Sequence, residues 1–246
     1  MLVLILAGTG TALATGLGAI PVFLIGPRAA ESMRPFLLGF AAGVMTAASI
    51  VGLVLPALDE GSGAEVAAGL VAGLGFLIAT RRYLRSRDPH IGRLRGAGVS
   101  TSILVFAVLL AHSLPEGLAI GAAYASDTQG LALFVIVAIA LQNIPEGTSV
   151  AVPMQGAGFS HGQQFWAAVG TSAPQPVGAV IAYLAVEEVS SLLPVSFAFA
   201  AGAMLTLVVA EVVPEALSTG GWRSVAAGCT IGAAVMVALS LVLGVG

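Results

Sequence analysis

Lysine is absent from this chain of 246 residues, charged residues of any kind make up only 9% of it, and it holds one cysteine and few aromatic side chains (6%). Each shortage excludes something. A soluble domain carries roughly a quarter of its residues as charged groups, so a surface solvated all round is excluded. The single Cys229 excludes a disulfide framework within the chain and leaves the redox compartment open. The net charge of −3 says little by itself, because placement matters more than the sum, and no nucleic-acid partner is expected. What is abundant is apolar: 58% hydrophobic residues, a mean hydropathy of +1.03 and 32 glycines. Small residues in quantity let membrane helices approach closely. These features predict an all-α, polytopic integral membrane protein.

Eight apolar stretches, near residues 1–25, 35–58, 64–82, 100–124, 129–154, 164–186, 190–214 and 223–245, each reach the ~20 residues that cross a hydrocarbon core. The first lacks a basic leader and its apolar run is too long for a cleaved secretory signal, so it is expected to stay as a span. Only the connection 83–99 (YLRSRDPHIGRLRGAGV) is extended and polar. A single transmembrane domain covering 1–246 is therefore expected.

Charge orients these spans. Every cation is an arginine: Arg28, Arg34, Arg81, Arg82, Arg85, Arg87, Arg93, Arg95 and Arg223. With eight spans they all fall on one side of the membrane, whereas Asp59, Glu60, Glu65, Asp127, Glu187 and Glu188 fall on the other. Basic flanks stay cytoplasmic, which puts both termini outside. A faint internal repeat points the same way. FAAGVMTAASIVGLVLPAL at 40–58 resembles FAAGAMLTLVVAEVVPEAL at 199–217 with one residue of slip. These are spans two and seven, so three spans, a central pair and three inverted spans are expected, an arrangement found in transporters.

The central pair carries the chemistry. AHSLPEGLAI at 111–120 and LQNIPEGTSV at 141–150 each bury a Pro-Glu-Gly in an apolar run. His112 and Glu116 are four apart, as are Gln142 and Glu146, so each pair shares a helix face. Pro115 and Pro145 deny the helix an amide donor, which frees backbone carbonyls one turn earlier to face a cavity. Gly117 and Gly147 allow close backbone approach. An ionised glutamate at mid-span costs about 2.5–3.5 kcal/mol on insertion scales, and a bound dication would neutralise both. Imidazole and carboxylate suit zinc, iron or manganese, and the amides of Gln142 and Asn143 add harder oxygen donors. The same residues also fit an interhelical hydrogen bond or salt bridge, or a proton relay through Glu116 and Glu146 without metal. An intramembrane metallo-hydrolase is disfavoured, since no HExxH appears.

The pair HSLPEG and QNIPEG, some 30 residues apart on consecutive spans, resembles the signature of the ZIP (Zrt-, Irt-like protein) family of divalent metal transporters, and of its prokaryotic GufA-like type in particular. The likeness extends over nearly the whole chain, through eight spans, outward termini and a basic loop after span three. It implies a transporter rather than an enzyme, with no cofactor. Zn²⁺, or Cd²⁺, Fe²⁺ or Mn²⁺, would be the cargo carried into the cytoplasm, through a mononuclear or dinuclear site between spans four and five. It also implies an elevator-type movement of one helix bundle against another, a homodimer, and a place in the inner (plasma) membrane of a prokaryote, in contact with lipid.

Carried over position by position, the resemblance makes His112, Glu116, Gln142 and Glu146 the main site, with Met45 as a thioether ligand. Asp59 corresponds to an acidic position at the outer mouth, where carboxylates gather cations. Glu211 and Glu215 are expected to line an exit path or to pair with nearby arginines. Three positions depart from the family pattern: Ser113 stands where relatives often have Asn, Asn143 where some have Asp, and Gln175 where many have Glu. Ser113 and Gln175 are thus weaker candidates for a second site, since neutral amides cannot offset another +2 charge. His90 is the only histidine in the polar loop, so no histidine-rich sensor is expected there. The alternative reading is a proton-coupled carrier or channel for another small solute, with Glu116 and Glu146 as titrating groups.

Overall fold

Long apolar runs form helices that break at some of their glycines and prolines and run on through others, such as Pro35, Pro145 and Pro153. A computed structural model describes residues 1–86 and 112–245. The first apolar run forms α1 (Leu2–Leu17) and α2 (Ile20–Ile25), parted at Gly18–Ala19. Gly26 at φ 79° ends α2, and Pro27 opens α3 (Pro27–Ser49), where its missing amide costs nothing. A π-helical turn at Ile50–Val54 leads into α4 (Leu55–Glu60), and α5 covers Gly63–Ser86.

After the residues outside the description, α6 (112–125) and α7 (Leu131–Gly156) form the central pair. A capping box, Ser160 with Gln163, starts α8 (His161–Thr171), satisfying two otherwise orphan amides. α9 (Pro174–Glu188) follows after a break at Ser172–Ala173. A 3₁₀ turn at Ser190–Leu192 precedes α10 (Leu193–Leu207), a second π-helical turn at Val208–Val212, α11 (Val213–Thr219) and α12 (Trp222–Leu243). Among the described residues there is no strand.

Among the described residues, seven stretches are long and apolar enough to cross a membrane: Leu2–Ile25, Arg28–Glu60, Gly63–Tyr83, Leu131–Gly156, His161–Glu188, Ser190–Thr219 and Trp222–Leu243. Each overlaps an expected span, although the second begins at Arg28 where 35 was expected and the stretch from Ser190 runs on to Thr219 where 214 was expected. Much of the expected fourth span and of the polar loop, with His90, lies outside the described residues; the part of that span that is described, 112–125, is helical. The surface is apolar where water would demand polarity: Leu24, Val209, Leu241 and Val242 are 74–80% exposed. The interior, in contrast, holds Thr11, Thr15, Ser49, His112, Glu116, Gln142, Asn143 and Gln175. Such an inverted distribution belongs to a multi-pass membrane protein.

Small residues knit the helices into two groups. In one, α1 packs on α7, α8 and α9, and Gly117 and Gly121 of α6 meet the backbone of α9. In the other, α3 pairs with α12 and α5 with α10. There Gly39 and Gly43 of α3 lie against Val225 and Cys229, while Gly228 and Gly232 of α12 lie against Phe36 and Phe40, the small-residue spacing of close membrane crossings. α3 and α7 pack together where the groups meet.

The two repeat segments share a structural detail. In each, the α-helix gives way to a five-residue π turn that ends two residues before a proline, Pro56 in one and Pro214 in the other. In both, the residue after the π turn donates its amide five residues back, Leu55 to Ile50 and Val213 to Val208. The shared π turn supports reading the sequence similarity as a repeat, since π turns are rare and mark functional helices.

Candidate metal site

Two proline-containing helices supply the acids. His112 and Glu116 stand one turn apart on α6, and Gln142 and Glu146 in the same spacing on α7. Pro145 leaves the Leu141 carbonyl without its helical donor, although α7 runs unbroken through it. All four side chains are buried, with 4%, 1%, 0% and 6% exposure in that order. The glycine after each acid lets a neighbouring helix close in. A Cβ on Gly147 would lie 1.7 Å from the Thr15 carbonyl oxygen of α1, and one on Gly117 would lie 2.2 Å from the Gln175 carbonyl oxygen of α9.

Glu116 is the hub of the polar network. Its Oε1 accepts from Gln142 Nε2 at 2.6 Å and its Oε2 from Gln175 Nε2 at 2.7 Å. Gln175 Oε1 accepts from the Thr11 hydroxyl at 2.7 Å and from Asn143 Nδ2 at 3.3 Å, and Asn143 Nδ2 also donates to the Thr11 carbonyl at 2.7 Å. Thr15 and Ser172 share a hydrogen bond of 2.6 Å beside it.

The residues of the two motifs carry buried polar atoms without a partner: His112 Nδ1, Gln142 Oε1, Asn143 Oδ1 and Glu146 Oε1. An unpaired buried acceptor costs on the order of 1–3 kcal/mol, so several together mark a place built for something else. One imidazole nitrogen, carboxylate oxygen and amide oxygens form a donor set suited to a divalent transition metal. Among the described residues, no three His, Cys, Asp or Glu side chains converge closely enough to hold a metal by themselves. His112, Pro115 and Glu116 look across a tight recess, too small for water, at Leu77 of α5 and Ala203, Met204 and Leu207 of α10. An apolar wall thus closes this side.

The other residues singled out by sequence are placed as follows. Met45 is fully buried in the large apolar core on α3. Asn143 joins the network, whereas the Ser113 hydroxyl donates to the Thr171 carbonyl at 2.8 Å. Asp59 is exposed on α4, and with Glu60, Thr128 and Gly244 it lines a cavity of about 450 Å³. Glu211 and Glu215 are ion-paired: Arg81 Nε lies 2.8 Å from Glu211 Oε1, and Arg34 bonds Glu215. Sequence reading did not single out Thr11, Thr15 or Met204. The i,i+4 threonines in the first apolar run, and the match of Met204 to Met45 in the repeat, were the available signals.

Helices of this length, apolar outside and holding carboxylates and amides inside, define a membrane transport protein with a cation-suited centre. Sequence comparison agrees. The family model described as ZIP Zinc transporter matches residues 85–240. The zinc transporter GufA of Myxococcus xanthus is 33% identical over 98% of this chain and 97% of its own length. The zinc transporter ZIPB of Bordetella bronchiseptica is 34% identical over 98% of this chain and 81% of its own. A protein of Arabidopsis thaliana carrying a zinc-transporter name is 38% identical over 93% of this chain, which spans 37% of that relative's length. The chain belongs to the ZIP zinc transporter family, whose members are transporters and not enzymes.

Proposed function

We propose that this protein imports a divalent transition metal, zinc foremost, with cadmium, iron or manganese as further cargo, through a site between α6 and α7. His112, Glu116, Gln142 and Glu146 are the ligands, with Asn143 beside them and Met45 as a thioether ligand that approaches from α3. The observation that carries this reading is the set of unpartnered, buried lone pairs on His112, Gln142, Asn143 and Glu146 around two carboxylates. Two carboxylates balance one dication, and the relatives' names give zinc as their cargo.

An elevator-type movement fits the division into two groups. The site residues lie on α6 and α7, in the group held to α1 and α9, and they face apolar side chains of α5 and α10 in the other. Sliding one group past that apolar wall would carry the cation without opening a continuous pore. Asp59 gathers cations at the outer mouth. Glu215, paired with Arg34, and Glu211, paired with Arg81, line the way out.

The proposed topology is one domain over 1–246 with eight spans, arranged three, two and three with the outer sets inverted, both termini extracytoplasmic. It rests on the one-sided arginines and on the shared π turns. A homodimer in the inner (plasma) membrane of a prokaryote, embedded in lipid, completes the reading. The test is metal content of the purified protein. Wild type should retain Zn²⁺ or Cd²⁺ after desalting, and Glu116→Ala, folded by size-exclusion profile, should lose it. Equal retention by both would refute the site.

A further inference from the structure

Glu116 is enclosed unequally. Its Oε1 is held by Gln142, whose own Oε1 is buried without a partner; turning that amide would offer a cation an oxygen. The other carboxylate oxygen, Oε2, is held by Gln175 Nε2, and this amide has no such freedom. Amide polarity follows from the network, and here a backbone carbonyl decides it. The Thr11 carbonyl can only accept, so the Asn143 group at 2.7 Å is its NH₂. The second hydrogen of that NH₂ points to Gln175, making the facing atom Oε1 and leaving Nε2 for Glu116. The Thr11 hydroxyl, 2.9 Å from the Gly8 carbonyl, can donate or accept and so leaves the polarity unchanged. The backbone of Gln175 is itself held close to α6, since its carbonyl lies where a Cβ on Gly117 would be.

We propose that Gln175, its amide polarity set through Asn143 by the Thr11 carbonyl, limits the site to a single dication by presenting N–H to the α9-facing oxygen of Glu116. An N–H donor cannot coordinate a cation, and it sets its positive end against the carboxylate oxygen that a second cation would share with the first. Charge agrees: Glu116 and Glu146 balance one dication, and on the α9 side only the neutral Asn143, Gln175 and Thr11 join the network. Gln175 is therefore a specificity-determining residue for stoichiometry, acting through Glu116. This inference rests on the metal reading above.

The experiment is Zn²⁺ and Cd²⁺ titration calorimetry, paired with elemental analysis, on the full-length protein in detergent. Wild type is expected to bind one cation per chain. Gln175→Glu puts a carboxylate where the N–H was, and should bind two, the second at least tenfold tighter than any second event in wild type. Asn143→Asp, which removes the N–H that sets the polarity, should also gain a second cation, and it serves if Gln175→Glu does not fold. A merely structural role for Gln175 would change the amount of folded protein but not the number bound. Two tight cations in wild type overturn the inference, as does a folded variant that stays at one. A wild type that binds none overturns the metal reading itself, a different result.

Discussion

Gln142 on α7 donates its side-chain N–H to Glu116 on α6 across 2.6 Å, and its own carbonyl oxygen is buried with nothing to accept from. The two motifs are therefore coupled directly, one residue's amide closing over the other's carboxylate. On the proposed reading, a cation that binds Glu116 would displace this hydrogen bond, and the same amide, turned over, would supply an oxygen ligand.

Removing that oxygen should weaken binding and leave the fold intact. Gln142→Leu loses a neutral ligand and an amide on Glu116, while the volume is kept. The cation dissociation constant should rise at least tenfold in calorimetry. An unchanged constant would mean that Gln142 does not reach the cation.

The ion pair of Arg81 with Glu211, on a π-helical turn at 27% and 16% side-chain exposure, is neither fully wet nor fully dry. Exposed pairs contribute about 0.2–1 kcal/mol and breaking a buried one costs about 3–5, so losing one partner here should cost about 1–2 kcal/mol. Arg81→Gln and Glu211→Gln should each lower the thermal midpoint, and the double variant should lose less than their sum. Full additivity in this cycle would show that the two side chains do not stabilise each other.

Gly147 and Gly75 should answer alanine in opposite ways. A Cβ on Gly147 would sit 1.7 Å from the Thr15 carbonyl oxygen, whereas one on Gly75, in the middle of α5, meets nothing within 4 Å. Gly147→Ala forces α1 off α7 and should cost about 3 kcal/mol or more, as overpacking against backbone does. Gly75→Ala should be neutral or stabilising, by up to about 1 kcal/mol. Thermal unfolding in detergent separates the two, and equal midpoints would remove the tight α1–α7 seam from the account.

Topology is open to labelling. In a Cys229→Ala background, cysteine at Asp127 should react with an impermeant thiol reagent in intact cells, and cysteine at Ser160 should react only after the membrane is opened. Both positions are exposed, so access is decided by side alone. The reverse pattern would invert the protein.

The presence of long apolar helices and the doubled Pro-Glu-Gly were legible because both are local. A run of apolar residues declares its length, and a glutamate inside it stands out. Pairing of Glu211 and Glu215 with arginines was also within reach, as one of two stated options. The breaks at Gly18–Ala19 and Ser172–Ala173 were not read, since hydropathy carries straight across them. Nor were the π turns, although Pro56 and Pro214 occupy matching places in the repeat. The partners of Glu116 were the least legible. That Gln175 reaches it, with Thr11 held behind Gln175 and Asn143, depends on how α9 and α1 cross the central pair, and no spacing along the chain encodes a crossing.

Uptake into sealed proteoliposomes tests the central claim most directly. Purified wild type loaded with a metal-sensitive dye should show saturable Zn²⁺ and Cd²⁺ entry, and His112→Ala and Glu146→Ala, inserted at equal density, should show none above protein-free vesicles. Unchanged rate and affinity in either variant would contradict a metal path through the α6–α7 centre.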